Sequence, residues 1–264
     1  MYKIFQKIGV FKGKPRFANL FFNKKSPRTF IIPCGLKITV PNLIENVSFE
    51  LFINGIYEEN HITFINNHLD YKSNFIDVGA NIGAISLVIA KLRPDVNVYA
   101  FEASPRVFKY LELNKKQNHL TNLHIYNLAI HSQNNISIPF YSPLDKNGKG
   151  SFSPVFTKEA EFVKTISLDI FFKNQNLTPD FIKVDVEGYE KLIFESMKNY
   201  LSTEDSCPVL FEFVDWAEQL ANFQCGDAQQ LLIDNKYTLK NLENNKFIQE
   251  PIKSGCTMVF ASKN

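Results

Sequence analysis

The chain has 264 residues, 45% of them hydrophobic and 14% aromatic, which excludes a disordered or fibrous protein and provides for a core of its own. Its 29 basic and 27 acidic side chains leave a net charge of +2, too balanced for a dedicated nucleic-acid binder. The four cysteines, Cys34, Cys207, Cys225 and Cys256, form no Cys-x-x-Cys pair. They therefore argue against a zinc ribbon or disulfide frame and for a reducing, cytoplasmic setting.

Residues 1–44 hold nine Lys or Arg, from Lys3 to Lys37, and no acid. Such a stretch suits contact with an anionic surface, a phosphate-bearing substrate or a membrane face, or else is an ordinary basic face. Lys, Arg and Gly interrupt Phe5 to Phe22, so no secretory signal is expected. No stretch reaches the ~18–20 apolar residues of a membrane span. Phe30-Ile31-Ile32 and Ile38-Thr39-Val40 predict a small β addition within an N-terminal extension over 1–60. The main domain is expected over 61–264.

From Phe75 onward, short apolar runs alternate with amphipathic stretches, the pattern of an α/β fold with a parallel sheet. The first strand ends in Asp77-Val78-Gly79-Ala80-Asn81-Ile82-Gly83. A helix with Ile82, Ile85, Ser86, Ile89 and Leu92 on one face follows and stops before Pro94. The second strand, Val98-Tyr99-Ala100-Phe101, closes on Glu102, and Ser104-Pro105 opens the next helix as N-cap and first-turn proline. The third strand is read from His124 to Ala129. A long polar connection over 142–164 includes Asn147-Gly148-Lys149-Gly150-Ser151-Phe152-Ser153, and a loop of that length is functional or disordered. Phe181-Ile182-Lys183-Val184-Asp185 is the fourth strand and Val209-Leu210-Phe211-Glu212-Phe213 the fifth. Tyr237–Leu242 and Thr257–Ala261 complete about seven strands, the last two as an antiparallel edge.

A glycine turn after a buried strand, with an acid ending the next strand, is a way to hold a nucleoside. A dinucleotide fingerprint requires glycines at 79, 81 and 84, where this chain has Gly79, Asn81 and Ala84. Asp77 before the turn suits a cationic group, and Glu102 suits both ribose hydroxyls. A nucleoside with a cationic amino-acid tail is S-adenosylmethionine. Gly79 is expected to let the backbone approach the ligand, Gly83 to let the helix pack closely, and Asn81 to tolerate positive φ. Ala80 and Ser104 belong to the same cofactor set. Asp185 and Glu187, at a strand tip before Gly188, are candidates for a general base or for positioning the acceptor. With Glu212 they are also a candidate Mg²⁺ set. The competing reading has Glu187 capping the next helix. His131 is a weaker base candidate, and Lys183 is read as covering a sheet edge.

These residues resemble the FkbM-type S-adenosylmethionine-dependent methyltransferases. The likeness rests on Phe75-Ile76-Asp77-Val78-Gly79-Ala80-Asn81-Ile82-Gly83, Ala100-Phe101-Glu102-Ala103-Ser104-Pro105 and Lys183-Val184-Asp185-Val186-Glu187-Gly188-Tyr189-Glu190. Lesser echoes are Tyr57-Glu58, Leu111, Asn114, Gly150-Ser151 and Leu168-Asp169, and the resemblance covers about residues 55 to 215. Glu102-Ala103-Ser104-Pro105 stands where the family often has Glu-Pro-Asn-Pro. The likeness implies a class I methyltransferase, Rossmann-like sheet with helices on both faces. It also implies O-methylation of a hydroxyl on a sugar, glycan or secondary metabolite. It assigns Asp77, Gly79, Asn81, Gly83 and Glu102 to the cofactor and puts Ala129 near the adenine. Tyr57, Glu58, Ser151 and Glu212 are the expected acceptor side. N-methylation of a small amine and a non-catalytic cofactor-binding module are the alternatives, and the oligomeric state stays open.

Overall fold

The computed structural model describes residues 2–7, 22–143, 150–152, 154 and 157–263. Asn147, Gly148, Lys149 and Ser153 of the long connection, and the basic residues Lys12, Lys14 and Arg16, lie outside them.

The N-terminal part contributes helix α1 (Tyr2–Lys7), an antiparallel hairpin of β1 (Arg28–Ile31) and β2 (Lys37–Val40), and helices α2 (Asn46–Asn54) and α3 (Glu59–Asn67). The main sheet begins with β3 (Asn74–Val78), followed by α4 (Ser86–Leu92), β4 (Asn97–Phe101), α5 (Pro105–Gln117) and β5 (Leu123–Tyr126). A small three-stranded sheet comes next, from β6 (Ala129–Ile130), β7 (Ser137–Phe140) and β8 (Glu161–Ile166). The chain returns through α6 (Leu168–Gln175), β9 (Phe181–Val184), α7 (Glu190–Ser196), α8 (Lys198–Leu201), β10 (Val209–Val214), α9 (Asp215–Leu220) and α10 (Asp227–Asp234). It ends in β11 (Thr238–Asn241), β12 (Phe247–Ile248) and β13 (Cys256–Ser262).

The main sheet has eight strands in the order β12-β11-β13-β10-β9-β3-β4-β5, with the five from β10 to β5 parallel. This is the expected α/β class I architecture, extended by β12. The two late strands pair antiparallel, as expected; their order was not foreseen, since β13 lies between β10 and β11, antiparallel to both, and β12 forms the edge. The third strand also stops earlier, at Tyr126. Asn127 Nδ2 donates to the carbonyls of Glu102 and Ala103, which turns the chain out of the sheet. Ala129 consequently pairs with Thr165 of β8 instead of extending β5.

β3, β4, β9 and β10 are buried on both faces, so their sequences run apolar and not alternating. Phe75, Val98, Ala100, Phe181 and Leu210 face one core, which they share with Phe30, Ile38, Leu51 and Phe52 of the N-terminal part. Ile76, Val78, Ile182, Val184 and Phe211 face a second core with Phe171, Phe194 and Leu232. Asn114 of α5 ties the hairpin to the first core. Fully buried, it accepts from Thr39 N at 2.7 Å and donates to Thr39 O at 3.1 Å and Ile82 O at 3.0 Å. Among the described residues no helix is long and apolar enough to cross a membrane.

Candidate functional site

Strands β4 and β5 lie to one side of β3, and β9 and β10 to the other, so the strand order reverses between β3 and β9. Open α/β sheets bind ligands beyond the carboxyl ends of the strands at such a reversal. A cavity of about 280 Å³ opens there, close to the smaller end of ligand sites.

One wall is the turn after β3. Gly79, Asn81 and Gly83 take φ of +83°, +54° and +90°, and Gly79 N and Ala80 N both donate to Phe101 O, at 3.0 and 2.9 Å. A Cβ on Gly79 would collide with the carbonyl oxygen of Asp185. The glycine is therefore required by a neighbouring turn, a different reason from the expected approach to a ligand. On Gly83 a Cβ would stand 2.7 Å from Leu87 and 2.8 Å from Leu111, so this glycine serves helix packing. Glu102 is braced by the same turn: Asn81 N donates to Oε2 at 2.9 Å and Ser104 N to Oε1 at 2.8 Å. Burial pushes its carboxyl up to about 7, with the charge of Asp77 adding to the effect and the two N–H donors opposing it.

The opposite wall is a polar column on the first-core face of the sheet. Asp77 and Lys183 are direct cross-strand partners in the β3–β9 register. Asp77 is 1% exposed, accepts from the Ser86 hydroxyl through Oδ2, and has Oδ1 3.5 Å from Lys183 Nζ. Lys183 is 3% exposed and donates to Asp185 Oδ2 at 3.2 Å. Burial alone would lower its pKa, but Asp185, Asp77 and Glu58 outweigh this and hold the ammonium above its ordinary range. The reading of Lys183 as an edge residue is thereby corrected: β9 lies mid-sheet, and the lysine is the cation at the base of the cleft. A single lysine inside an otherwise apolar strand, two residues before an acid, was the signal available for it.

Tyr57 and Glu58 cap this column from the short link between α2 and α3. Glu58 Oε2 lies 2.9 Å from His61 Nδ1. Burial opposes ionisation of Glu58, yet His61 and Lys183 hold its carboxyl below the ordinary range. Burial holds the Tyr57 phenol above its ordinary range, and the charges of Glu58 and Asp185 add to this. Glu212 of β10 completes the group. Burial, then the like charges of Asp185, Glu187 and Glu58, push it up to about 8.

The turn after β9 is held by a residue that sequence reasoning left without a role. Glu190 Oε1 accepts from Val186 N at 3.1 Å and Gly188 N at 3.3 Å. Glu190 thus holds the turn that leads into α7, while Glu187 at φ +54° lines the cavity with Asp185. Burial pushes Glu190 up to about 8.

Asp77, Gly79, Ala80, Asn81, Glu102, Ala129, Asp185, Glu187, Tyr57, Glu58 and Glu212 therefore line one cavity. Leu128 and Ile130 flank Ala129 and make this end apolar. Four expected residues fall outside the lining. Gly83 packs against α4 and α5 as above. Ser104 caps α5, its hydroxyl accepting from Val107 N at 3.4 Å. Ser151 is buried with its hydroxyl 3.4 Å from that of Tyr189, and His131 accepts from Gln133 N at 3.0 Å. Asp185, Glu187 and Glu212 do not assemble the expected magnesium set. The ammonium of Lys183 already stands against Asp185, and among the described residues no three His, Cys, Asp or Glu side chains are arranged to hold a metal ion.

A family profile described as Methyltransferase FkbM domain matches residues 77–239. The chain is 32% identical over 128 residues to the hexuronic acid methyltransferase AglP of Haloferax volcanii, covering 48% of this chain and 51% of that protein. It thus spans about half the length of the curated relative it matches. Among solved structures, an S-adenosylmethionine-dependent O-methyltransferase of Thermotoga maritima is 14% identical with a TM-score of 0.45, covering 93% of this chain and 80% of that one. A TehB-like S-adenosylmethionine-dependent methyltransferase of Corynebacterium glutamicum is 12% identical with a TM-score of 0.47, covering 82% and 94% respectively.

Proposed function

The chain belongs to the FkbM methyltransferase domain family, and on that footing we propose that it transfers the methyl group of S-adenosylmethionine to a hydroxyl of a sugar or glycan. The observation that carries this reading is that the family's two motif turns, after β3 and after β9, open into one cavity. The named activity of the Haloferax volcanii relative supports a sugar-type acceptor.

The residues present fit the cofactor. Each oxygen of Glu102 holds one backbone N–H and keeps a lone pair for a ribose hydroxyl. Asp77 Oδ1, buried in the cavity wall, accepts no hydrogen bond among the described residues and suits the cationic tail. Leu128, Ala129 and Ile130 offer apolar contact to the base. When bound, S-adenosylmethionine supplies a methyl group activated by a sulfonium. Asp185 and Glu187 orient the acceptor hydroxyl against that methyl, which contributes by proximity and alignment. Either carboxylate would take the proton that the acceptor hydroxyl releases on methylation. Lys183 Nζ donates to Asp185 Oδ2 and so orients that carboxylate.

Calorimetry with S-adenosylmethionine, S-adenosylhomocysteine and NAD tests the cofactor; binding of NAD alone refutes the reading. Asp185→Asn and Glu187→Gln are expected to keep S-adenosylhomocysteine affinity and to lose ~10²-fold or more in turnover, the scale of positioned acid–base groups. Full activity in both variants would place the proton acceptor elsewhere.

A further inference from the structure

We infer that Phe152 is the ring that covers the adenine of the bound cofactor, and that Gly150 and Ser151 are the positioning residues that carry it there. This deepens the proposed function and rests on it. Residues 150–152 are pinned from two sides. Tyr141 N donates to Ser151 O at 2.7 Å and Ser151 N to Tyr141 O at 3.0 Å, which joins the segment to the end of β7. On the other side the Ser151 hydroxyl lies 3.4 Å from that of Tyr189, at the start of α7. A Cβ on Gly150 would stand 2.4 Å from the buried ring of Phe140, so the absence of a side chain lets the segment lie this close.

The Phe152 ring meets Phe140 at 5.4 Å and Tyr189 at 4.9 Å between centroids, both edge-to-face. Those two residues are 7% and 5% exposed, whereas Phe152 is half-buried and lines the cavity. It is therefore the ring of the three with the most surface left for a ligand. Which part of the ligand it meets follows from its neighbours. Phe152 packs on the cluster of Ala129, Phe140 and Val163, and so does Ala103. Ala103 follows Glu102, whose carboxylate is braced for the ribose. A base attached to that ribose is thus led to this apolar end, away from Asp77 and Asp185. Adenine presents flat π-faces that stack on aromatic side chains, and a ring at this place completes the apolar contact begun by Leu128, Ala129 and Ile130.

Calorimetry on the full chain tests this with S-adenosylhomocysteine and with methylthioadenosine, which keeps the base and ribose and lacks the amino-acid tail. Phe152→Leu should weaken both ligands by the same factor, about tenfold, the scale of one base–aromatic stack. Phe152→Tyr keeps a ring and should restore most of the affinity. Gly150→Ala should weaken both ligands to a similar extent. Combining it with Phe152→Leu should add little, because both changes remove one contact. Thermal unfolding checks that each variant folds, and should Phe152→Leu fail that check, Gly150→Ala decides by the same comparison of ligands. A loss confined to S-adenosylhomocysteine, a Tyr variant as weak as the Leu variant, or fully additive losses overturn the inference. So does unchanged affinity for both ligands in Phe152→Leu, which together with a fall in methyl transfer would give the ring to the acceptor. Failure of the parent to bind either ligand refutes the proposed function itself.

Discussion

Lys183 occupies the kind of place lysines avoid, the middle of a strand buried on both faces. Its cost is offset because Asp77 pairs with it across the ladder and Asp185 follows two residues later on the same face. Breaking such a buried pair leaves an uncompensated charge, which costs roughly 3–5 kcal/mol. Lys183→Met should lose about that much in urea unfolding, and adding Asp77→Asn should restore part of it. A Lys183→Met protein as stable as the parent would remove the ion pair from the account. Glu190 makes a second residue-scale case. Its folded value of about 8 lies above the ordinary 4.5, so between those pH values the folded chain holds a proton that the unfolded chain has released. Stability from this group therefore falls as pH rises through that window. Glu190→Gln keeps an acceptor oxygen for Val186 N and Gly188 N while removing the titration. Its stability–pH curve between 4.5 and 8 should be flatter than the parent's, by up to ~1.4 kcal/mol per pH unit. An unchanged curve from thermal unfolding would show that Glu190 is not perturbed.

At the scale of elements, α5 holds the hairpin of β1 and β2: beside the bonds of Gln117 and Asn118 to Lys37, Asn114 makes two hydrogen bonds to Thr39 and one to Ile82 O. Asn114→Ala deletes them and strands two carbonyls and an N–H in a dry interface, with an expected loss of ~2–4 kcal/mol. Hydrogen exchange at the Thr39 amide should accelerate more than exchange in β3, and equal protection at both would contradict the attachment. Elements also show where the sequence was readable. The turn after β3 and the Ser104-Pro105 cap were legible because a positive φ and a helix N-cap are local demands. The placement of β13 was not, since nothing in neighbouring residues says that a later strand slips between two earlier ones. The early end of β5 depended on the side chain of Asn127, which reaches the carbonyls of the preceding strand's exit. Lys183 was misread for the same reason: its meaning comes from Asp77, more than a hundred residues away in sequence and adjacent in register.

For the whole molecule, the cavity joins both halves of the chain, so occupancy should stabilise the entire fold and not one lobe. At a concentration of S-adenosylhomocysteine 100 times its Kd, about 2.7 kcal/mol is expected. Differential scanning calorimetry should show a single transition moving upward. The shift should be strongly reduced in Glu102→Ala, in which the two braced acceptors for the ribose are gone. A full shift in that variant would move the ribose contact to another residue.

The collision that a Cβ on Gly79 would have with the carbonyl of Asp185 has a further consequence, for the order of folding. The two turns touch backbone to backbone, and Asp185 N donates to Val78 O at 3.0 Å. Neither turn has its final shape until the parallel pairing of β3 with β9 has closed a loop of about a hundred residues. Closing such a loop is entropically late and slow. The cofactor cradle and the acid turn therefore mature in one event. A chain arrested before that pairing has both β4 and β5 available to it, yet it has no cleft in which either ligand can gain a foothold.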